Sequence, residues 1–239
     1  MPTINDAAVA AMSMKEMELE VISHNLANAS SYGFKEGKVS FEAVLSEEKN
    51  NNGEPKVVNR ANITTNFSPG ATIQTNNTFD LALQGDGFFE VQTDHGNFYS
   101  RDGAFTLNAQ GQLVTLHGDP VMGVSGPVQI GTKSKVEISE SGQVNGDGED
   151  LGQIKVVSFD DKQKLSAVGN GLFEAKDGVA AKPTTDTQIL QGKLESSNSQ
   201  MTTNMVRLIE VMRQYESYLK VIQAQKDIDK NSSTVGQLA

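Results

Sequence analysis

The sequence predicts a mainly β protein with terminal α-helices: N- and C-terminal coiled-coil helices flanking a central all-β module. Three observations carry this. A seam of apolar residues with heptad spacing runs near the C-terminus. An amphipathic stretch lies at the N-terminus. Between them, apolar residues alternate in short runs separated by Gly-rich turns.

The C-terminal seam is the clearest signal. Met201, Met205, Leu208, Met212, Tyr215, Leu219 and Ile222 follow one another at spacings of four, three, four, three, four and three. That is the a/d pattern of a coiled coil. Arg207, Glu210, Arg213, Gln214, Glu216 and Lys220 fill the intervening positions, and no Gly or Pro interrupts the run. The helix is expected to start between Ser196 and Asn204 and to fray after Asp229. An isolated helix of this length is marginal in water, so the seam needs a partner.

Residues 4–28 read as the first helix. Ala8, Met12, Leu19, Ile22 and Leu26 share a face interrupted by Lys15, and Met14, Met17 and Val21 widen it. Met and Ala make a small, adaptable packing surface. Gly33 ends this region in a position suited to a left-handed backbone. Residues 36–78 are polar and poorly periodic, and are expected to form a linker arm with little regular structure.

From residue 79 to 191 the period becomes two. Phe79, Leu81 and Leu83 alternate with Asp80, Ala82 and Gln84, and later runs include Phe89–Val91, Phe105–Leu107, Val136–Ile138 and Ile154–Val156. Asp86-Gly87, His95-Gly96, Asp102-Gly103, Gly118-Asp119 and Asn145-Gly146 mark turns between them. The expected domains are therefore 1–35, N-terminal helix; 36–78, arm; 79–191, β module; and 192–239, C-terminal helix.

Composition narrows the function classes. Twenty basic against 30 acidic residues give a formal charge of −10, with no basic cluster, which argues against nucleic-acid binding and against an anionic membrane surface. With no Cys, the chain has no disulfide and no thiolate chemistry. No run of 18 apolar residues exists to span a bilayer, and the first residues carry no basic, then apolar, secretory signal.

No catalytic, cofactor or metal site is expected. His24, His95 and His117 are scattered. Gly85-Asp86-Gly87-Phe88-Phe89-Glu90 begins like a dinucleotide fingerprint, but Glu90 stands where the third Gly belongs and a strand follows, so it reads as a hairpin turn. The acidic run Asn145–Asp150 lacks the Gly and Glu of a calcium loop and reads as a flexible turn.

Three stretches resemble the rod and hook subunits of the bacterial flagellum. Asn25, Leu26, Ala27, Asn28, Gly33, Phe34 and Lys35 match the signature after the first helix, with His24 and Ser31 replacing the usual Asn and Thr. Gly85, Gly87, Phe88, Phe89, Arg101 and Gly103 match the central block. Glu195, Asn198, Arg213, Tyr215 and Glu216 match the closing block, with Ser199 in place of Val. Chain length, together with Asn66–Ala71 and Pro120–Val128, resembles the proximal-rod type more than the distal-rod type.

The resemblance implies a structural, non-enzymatic subunit of the basal-body rod, without cofactors. It would be exported unfolded through the flagellar type III channel to the periplasmic rod and serve motility. Its partners would be copies of itself, other rod proteins and the export apparatus; nucleic acid and direct membrane insertion are excluded. The terminal helices would pair with each other and with those of neighbours around a hollow, torque-transmitting tube. Ala8, Met12, Leu19, Ile22, Leu26, Met205, Leu208, Met212, Tyr215, Leu219 and Ile222 are the expected assembly interface. Before assembly the ends, lacking partners, are expected to be largely disordered, and Leu208→Asp or Leu219→Asp to block incorporation. Two alternatives stay open: a distal-rod subunit, or outside the family a coiled-coil adaptor whose β module binds a ligand.

Overall fold

The computed structural model describes residues 4–49, 55–176, 179–184 and 186–236. The chain divides into two compact units. One gathers the segments up to Ala27, Gly37–Asn66 and from Ser199 onward; the other gathers Asn28–Glu36 and Phe67–Asn198.

The helical unit holds helix α1 (Ile4–Ala27) and helix α2 (Met201–Gly236). Both form in the single chain and pack on each other. Ser199 near the start of α2 meets Asn25 near the end of α1, and Tyr215 further along meets Glu16, so the pair is antiparallel. The expectation of partnerless ends is thereby corrected: each helix finds a partner within the chain. α2 also continues past Asp229, where fraying was expected.

The 36–78 stretch departs further from its reading. Gly37–Lys49 and Pro55–Thr65 form a long antiparallel hairpin, in register from Gly37↔Thr65 to Ser46↔Lys56. A short alternation does mark it, Val39 and Phe41 half-buried between exposed Lys38 and Ser40, inside a stretch otherwise rich in polar residues. Asn25 fixes the base of this ribbon: its side-chain amide donates to the Gly37 carbonyl (2.8 Å) and its oxygen accepts from the Gly37 amide (2.9 Å). Asn25 is itself buried.

The β unit is built from short antiparallel strands. Its largest sheet has six, in the spatial order Leu165–Gly169, Leu172–Ala175, Gly96–Ser100, Phe88–Thr93, Val156–Ser158 and Lys182–Pro183. Leu81–Gln84 pairs with Gln188–Gln191, Thr72–Gln74 with Lys193–Glu195, and Phe105–Leu107 with Leu113–Thr115. A three-stranded sheet joins Val136–Ile138, Gln143–Gly146 and Glu149–Gln153. At its Asn145–Asp150 turn, Asp147 and Gly148 both take positive φ, 51° and 87°, as tight hairpin turns require. The Asp147 carboxylate accepts from the Ser134 and Lys135 amides, which lowers its pKa.

Apolar residues fill two cores. Phe89, Leu81, Leu113, Val121, Ile130, Val144 and Ile189 lie in the larger; Phe88, Val157, Phe159, Leu165 and Phe173 form the smaller. Adjacent residues Phe88 and Phe89 point to opposite faces of one strand, so that strand is covered on both sides. On the preceding strand Leu81, Ala82 and Leu83 are likewise all buried, although strict alternation suggested one wet face. The Gly85–Gly87 segment is not a hairpin turn. The strands before and after it pair with different partners, so it is a corner between sheets.

Candidate functional site

Two places gather the residues singled out by the sequence: the surface of the helix pair, and a buried polar junction in the β unit.

On α2, Asn204 and Val211 are fully buried, while Leu208, Tyr215, Tyr218, Ile222 and Gln225 are half-buried. Their spacing repeats the expected heptad rhythm and shares Leu208, Tyr215 and Ile222 with the predicted seam. The remaining contacts shift one residue back, from Met205 to Asn204, from Met212 to Val211 and from Leu219 to Tyr218. Met205 and Met212 are 45% and 48% exposed, and Met201 and Ile209 are exposed beside them. At about 100° per residue these four form a stripe roughly a quarter-turn from the packed face. The predicted seam is thus divided between an occupied face and an open one, with Leu219 half-buried.

On α1, Ala8 and Ile22 are buried, and Met12, Leu19 and Leu26 are half-buried. Polar contacts set the helix register. Ser199 Oγ donates to the Asn25 carbonyl (2.9 Å) and accepts from buried Asn204 Nδ2 (3.0 Å). Tyr215 donates to Glu16 (3.0 Å), raising the Tyr215 pKa, and Arg207 reaches Glu18 at 3.4 Å. Of the closing-block residues, Arg213 and Glu216 lie exposed on α2.

The junction brings together one residue from each of the three family stretches. Lys35 donates to a Glu195 carboxylate oxygen and to the Ser68 carbonyl (3.0 Å). Arg101 donates to the other Glu195 oxygen (3.3 Å) and to the Gly85 carbonyl (2.6 Å), with its guanidinium 5.3 Å from the centre of the Phe88 ring. The Gly70 amide adds a third donor to the carboxylate, 2.9 Å away. All three charged side chains are buried. Desolvation lowers the pKa of Lys35 despite the attraction of Glu195, and does the same to Arg101. Two cations share one carboxylate, so the arrangement holds chain segments rather than presenting a free acid or base.

The neighbouring motif residues explain themselves sterically. Gly33 has φ +64°, donates to the Glu195 carbonyl (2.7 Å), and a Cβ there would lie 2.2 Å from the Asp102 amide nitrogen. A Cβ on Gly103 would lie 1.7 Å from the Leu81 carbonyl oxygen, and one on Gly87 2.6 Å from Val156. Asn198 accepts from the Glu36 amide (2.8 Å) and donates to the Ser68 carbonyl (2.8 Å), and its own amide donates to Phe34 (3.3 Å). Asn28 accepts from Ser31 just after α1, where Ala27 ends the helix.

Ser68 and Gly70 were missed as site residues. A Cβ on Gly70 would lie 1.9 Å from the Ser196 carbonyl oxygen; Pro69-Gly70 was the available signal. A cleft of about 270 Å³ elsewhere on the β unit is lined by Val124, Ile154, Val156, Thr187 and Ile189, with Lys155 tied to Glu90 at 2.9 Å.

Residues 82–146 match the family described as "Flagellar hook protein FlgE/F/G D1 domain", and residues 190–235 match "Flagellar basal body rod FlgEFG protein C-terminal". The chain is 33% identical over 220 residues to the flagellar basal-body rod protein FlgF of Caulobacter vibrioides, covering 90% of each chain. It is 30% identical over 235 residues to FlgF of Mesorhizobium japonicum, covering 96% of each. It is also 28% identical over 252 residues to FlgG of Bacillus subtilis, covering 93% of this chain and 94% of the relative. With such identity over nearly full length, the chain belongs to the flagellar basal-body rod protein family, is a structural and non-enzymatic subunit of the basal body, and is most like FlgF.

Proposed function

We propose that this rod subunit assembles through its terminal helices, with the open stripe of α2 docking onto helices of neighbouring copies in coiled-coil fashion. The observation that carries this is the run Met201, Met205, Ile209 and Met212, apolar and exposed beside a face already occupied by α1. A contiguous apolar stripe on a soluble surface marks an interaction site, and Met suits a surface that must fit several neighbours. The packed face supplies a rigid two-helix element, so association need not first order α2. Contacts repeated head to tail extend rather than close, which suits a tube.

In this reading the other assembly residues, Ala8, Met12, Leu19, Ile22, Leu26, Leu208, Tyr215 and Ile222, act chiefly by holding the helix pair together. Leu219 borders the open stripe. The family likeness supports a proximal place in a hollow, torque-transmitting periplasmic rod, reached through the flagellar export apparatus, with other rod proteins above and below.

The test is the double substitution Met205→Asp/Met212→Asp in the full chain. Incorporation into the rod and self-association at high concentration should be lost while helix content in the dilute protein is unchanged. Normal assembly of this variant would reject the stripe as the interface.

A further inference from the structure

The chain passes between its two units after Ala27, Glu36, Asn66 and Asn198. The roots of three of these passages meet in one knot inside the β unit. Lys35 stands one residue before the second passage. Ser68 and Gly70 follow the third closely, and Glu195 and Asn198 precede the fourth.

The polar bonds of the knot join these three arms to one another. Lys35 bonds to Ser68 and Glu195. The Gly70 amide bonds to Glu195, and the Glu36 amide to Asn198. Asn198 returns a bond to Ser68, and Gly33 another to the Glu195 backbone. Arg101 fastens the knot to the rest of the unit.

The arms and the core are held by different forces. The larger core cluster is wholly apolar and draws none of its residues from Gly33–Glu36, Phe67–Ala71 or Glu195–Asn198. The arms are held mainly by hydrogen bonds and by one carboxylate set between two cations; at the third passage Phe67 adds ring contacts to Phe88 and Phe173 of the smaller core. Segments fastened mainly by polar bonds open at lower cost than an apolar core, and contiguous segments open as cooperative units.

The charge arrangement makes this opening collective. Without the Glu195 charge, Lys35 and Arg101 would be buried like charges with no buried counter-ion, only the exposed Asp86 carboxylate acting on Arg101, which is strongly unfavourable. Arg101 is held by carbonyls within the core, so relief comes by returning Lys35 to water. Lys35 lies between Phe34 and Glu36, whose backbone bonds hold Asn198, so a displacement of this segment that frees Lys35 breaks those bonds as well.

We propose that Lys35, Glu195 and Asn198 form a latch that releases the three arms together while the β core stays folded. Its mechanical use rests on the structural-rod reading: tension along the passages would be met by a reversible yield at the arms before the core gives way.

Hydrogen exchange of the full chain by NMR tests the latch, comparing wild type, Glu195→Gln and Lys35→Met/Glu195→Gln. In Glu195→Gln, exchange at the Gly33, Glu36 and Asn198 amides should accelerate together by at least about tenfold, with the Leu113, Val121 and Val128 amides unchanged. Lys35→Met/Glu195→Gln should recover much of the lost protection, because no unpaired ammonium remains buried. Four results would each overturn the latch: free exchange of these amides already in wild type, no acceleration in Glu195→Gln, equal loss in the core, or no recovery in the double variant. Self-association should be unchanged in these variants, so failure of the latch is distinct from failure of the helix-stripe reading.

Discussion

Lys35 and Glu195, 160 positions apart in sequence, form a salt bridge whose side chains are 0% and 3% exposed. Arg101 completes it from the middle of the chain. The three stretches that resembled rod and hook proteins are therefore not separate signatures. One charged member of each takes part in a single buried contact.

That contact gives the fold a pH signature. Burial lowers the Lys35 pKa below its ordinary 10.5. As pH rises, the native state sheds this proton first, so between the lowered pKa and 10.5 the unfolded state binds more protons. Stability from this group must then rise with pH, and the burial penalty is largest below that window. Urea midpoints measured between pH 7 and 10.5 should show wild type gaining on Lys35→Met as pH increases. A constant or widening deficit would contradict the assignment.

The β core should behave as a packed apolar interior. Phe89 is fully buried, with its ring 5.1 Å from that of Phe105. Phe89→Ala should cost about 3–5 kcal/mol, read as a large drop in unfolding midpoint.

Close backbone approach makes Gly103 equally sensitive for a different reason. The Leu81 amide donates to the Gly103 carbonyl at 3.0 Å, and any side chain at 103 would displace the Leu81 backbone. Gly103→Ala should lower thermal stability of the β unit markedly, while Gly96→Ala, with open space around it, should cost only its positive-φ strain, about 1–3 kcal/mol.

Asn25 ties α1 to the ribbon through two hydrogen bonds to Gly37. Asn25→Ala leaves those groups in want of partners, at about 1–3 kcal/mol. The Gly37 amide should exchange faster in this variant, with the β-unit amides unaffected.

These relationships were unequally legible in the sequence. The short strands and Gly turns could be read because most of the strands bury at least one face and each tight turn needs particular residues. The ribbon at Gly37–Thr65 was harder to read, since its short alternation of Val39 and Phe41 with Lys38 and Ser40 sits among many polar residues. The α2 seam combines residues of two faces for an instructive reason. Its buried face includes Asn204 and Gln225, polar residues that break the apolar pattern, whereas the exposed Met201, Met205 and Met212 complete a clean one. Apolar periodicity found the stripe with the fewest polar residues, which was not the stripe occupied within the chain. The junction was visible only as unexplained motif residues, because one-dimensional spacing cannot show that Lys35, Arg101 and Glu195 converge.

The central claim is that the open Met stripe, and not the packed face, drives assembly. The most direct measurement is sedimentation velocity with circular dichroism across a concentration series, on wild type, Met205→Asp/Met212→Asp and Val211→Asp. Wild type should associate as concentration rises. The double Met variant should remain a monomer with wild-type helix content, and Val211→Asp should lose helix content even when dilute, because Val211 is buried in the pair. Undiminished association of the double Met variant, or a wild type that stays monomeric at every concentration, would contradict the account.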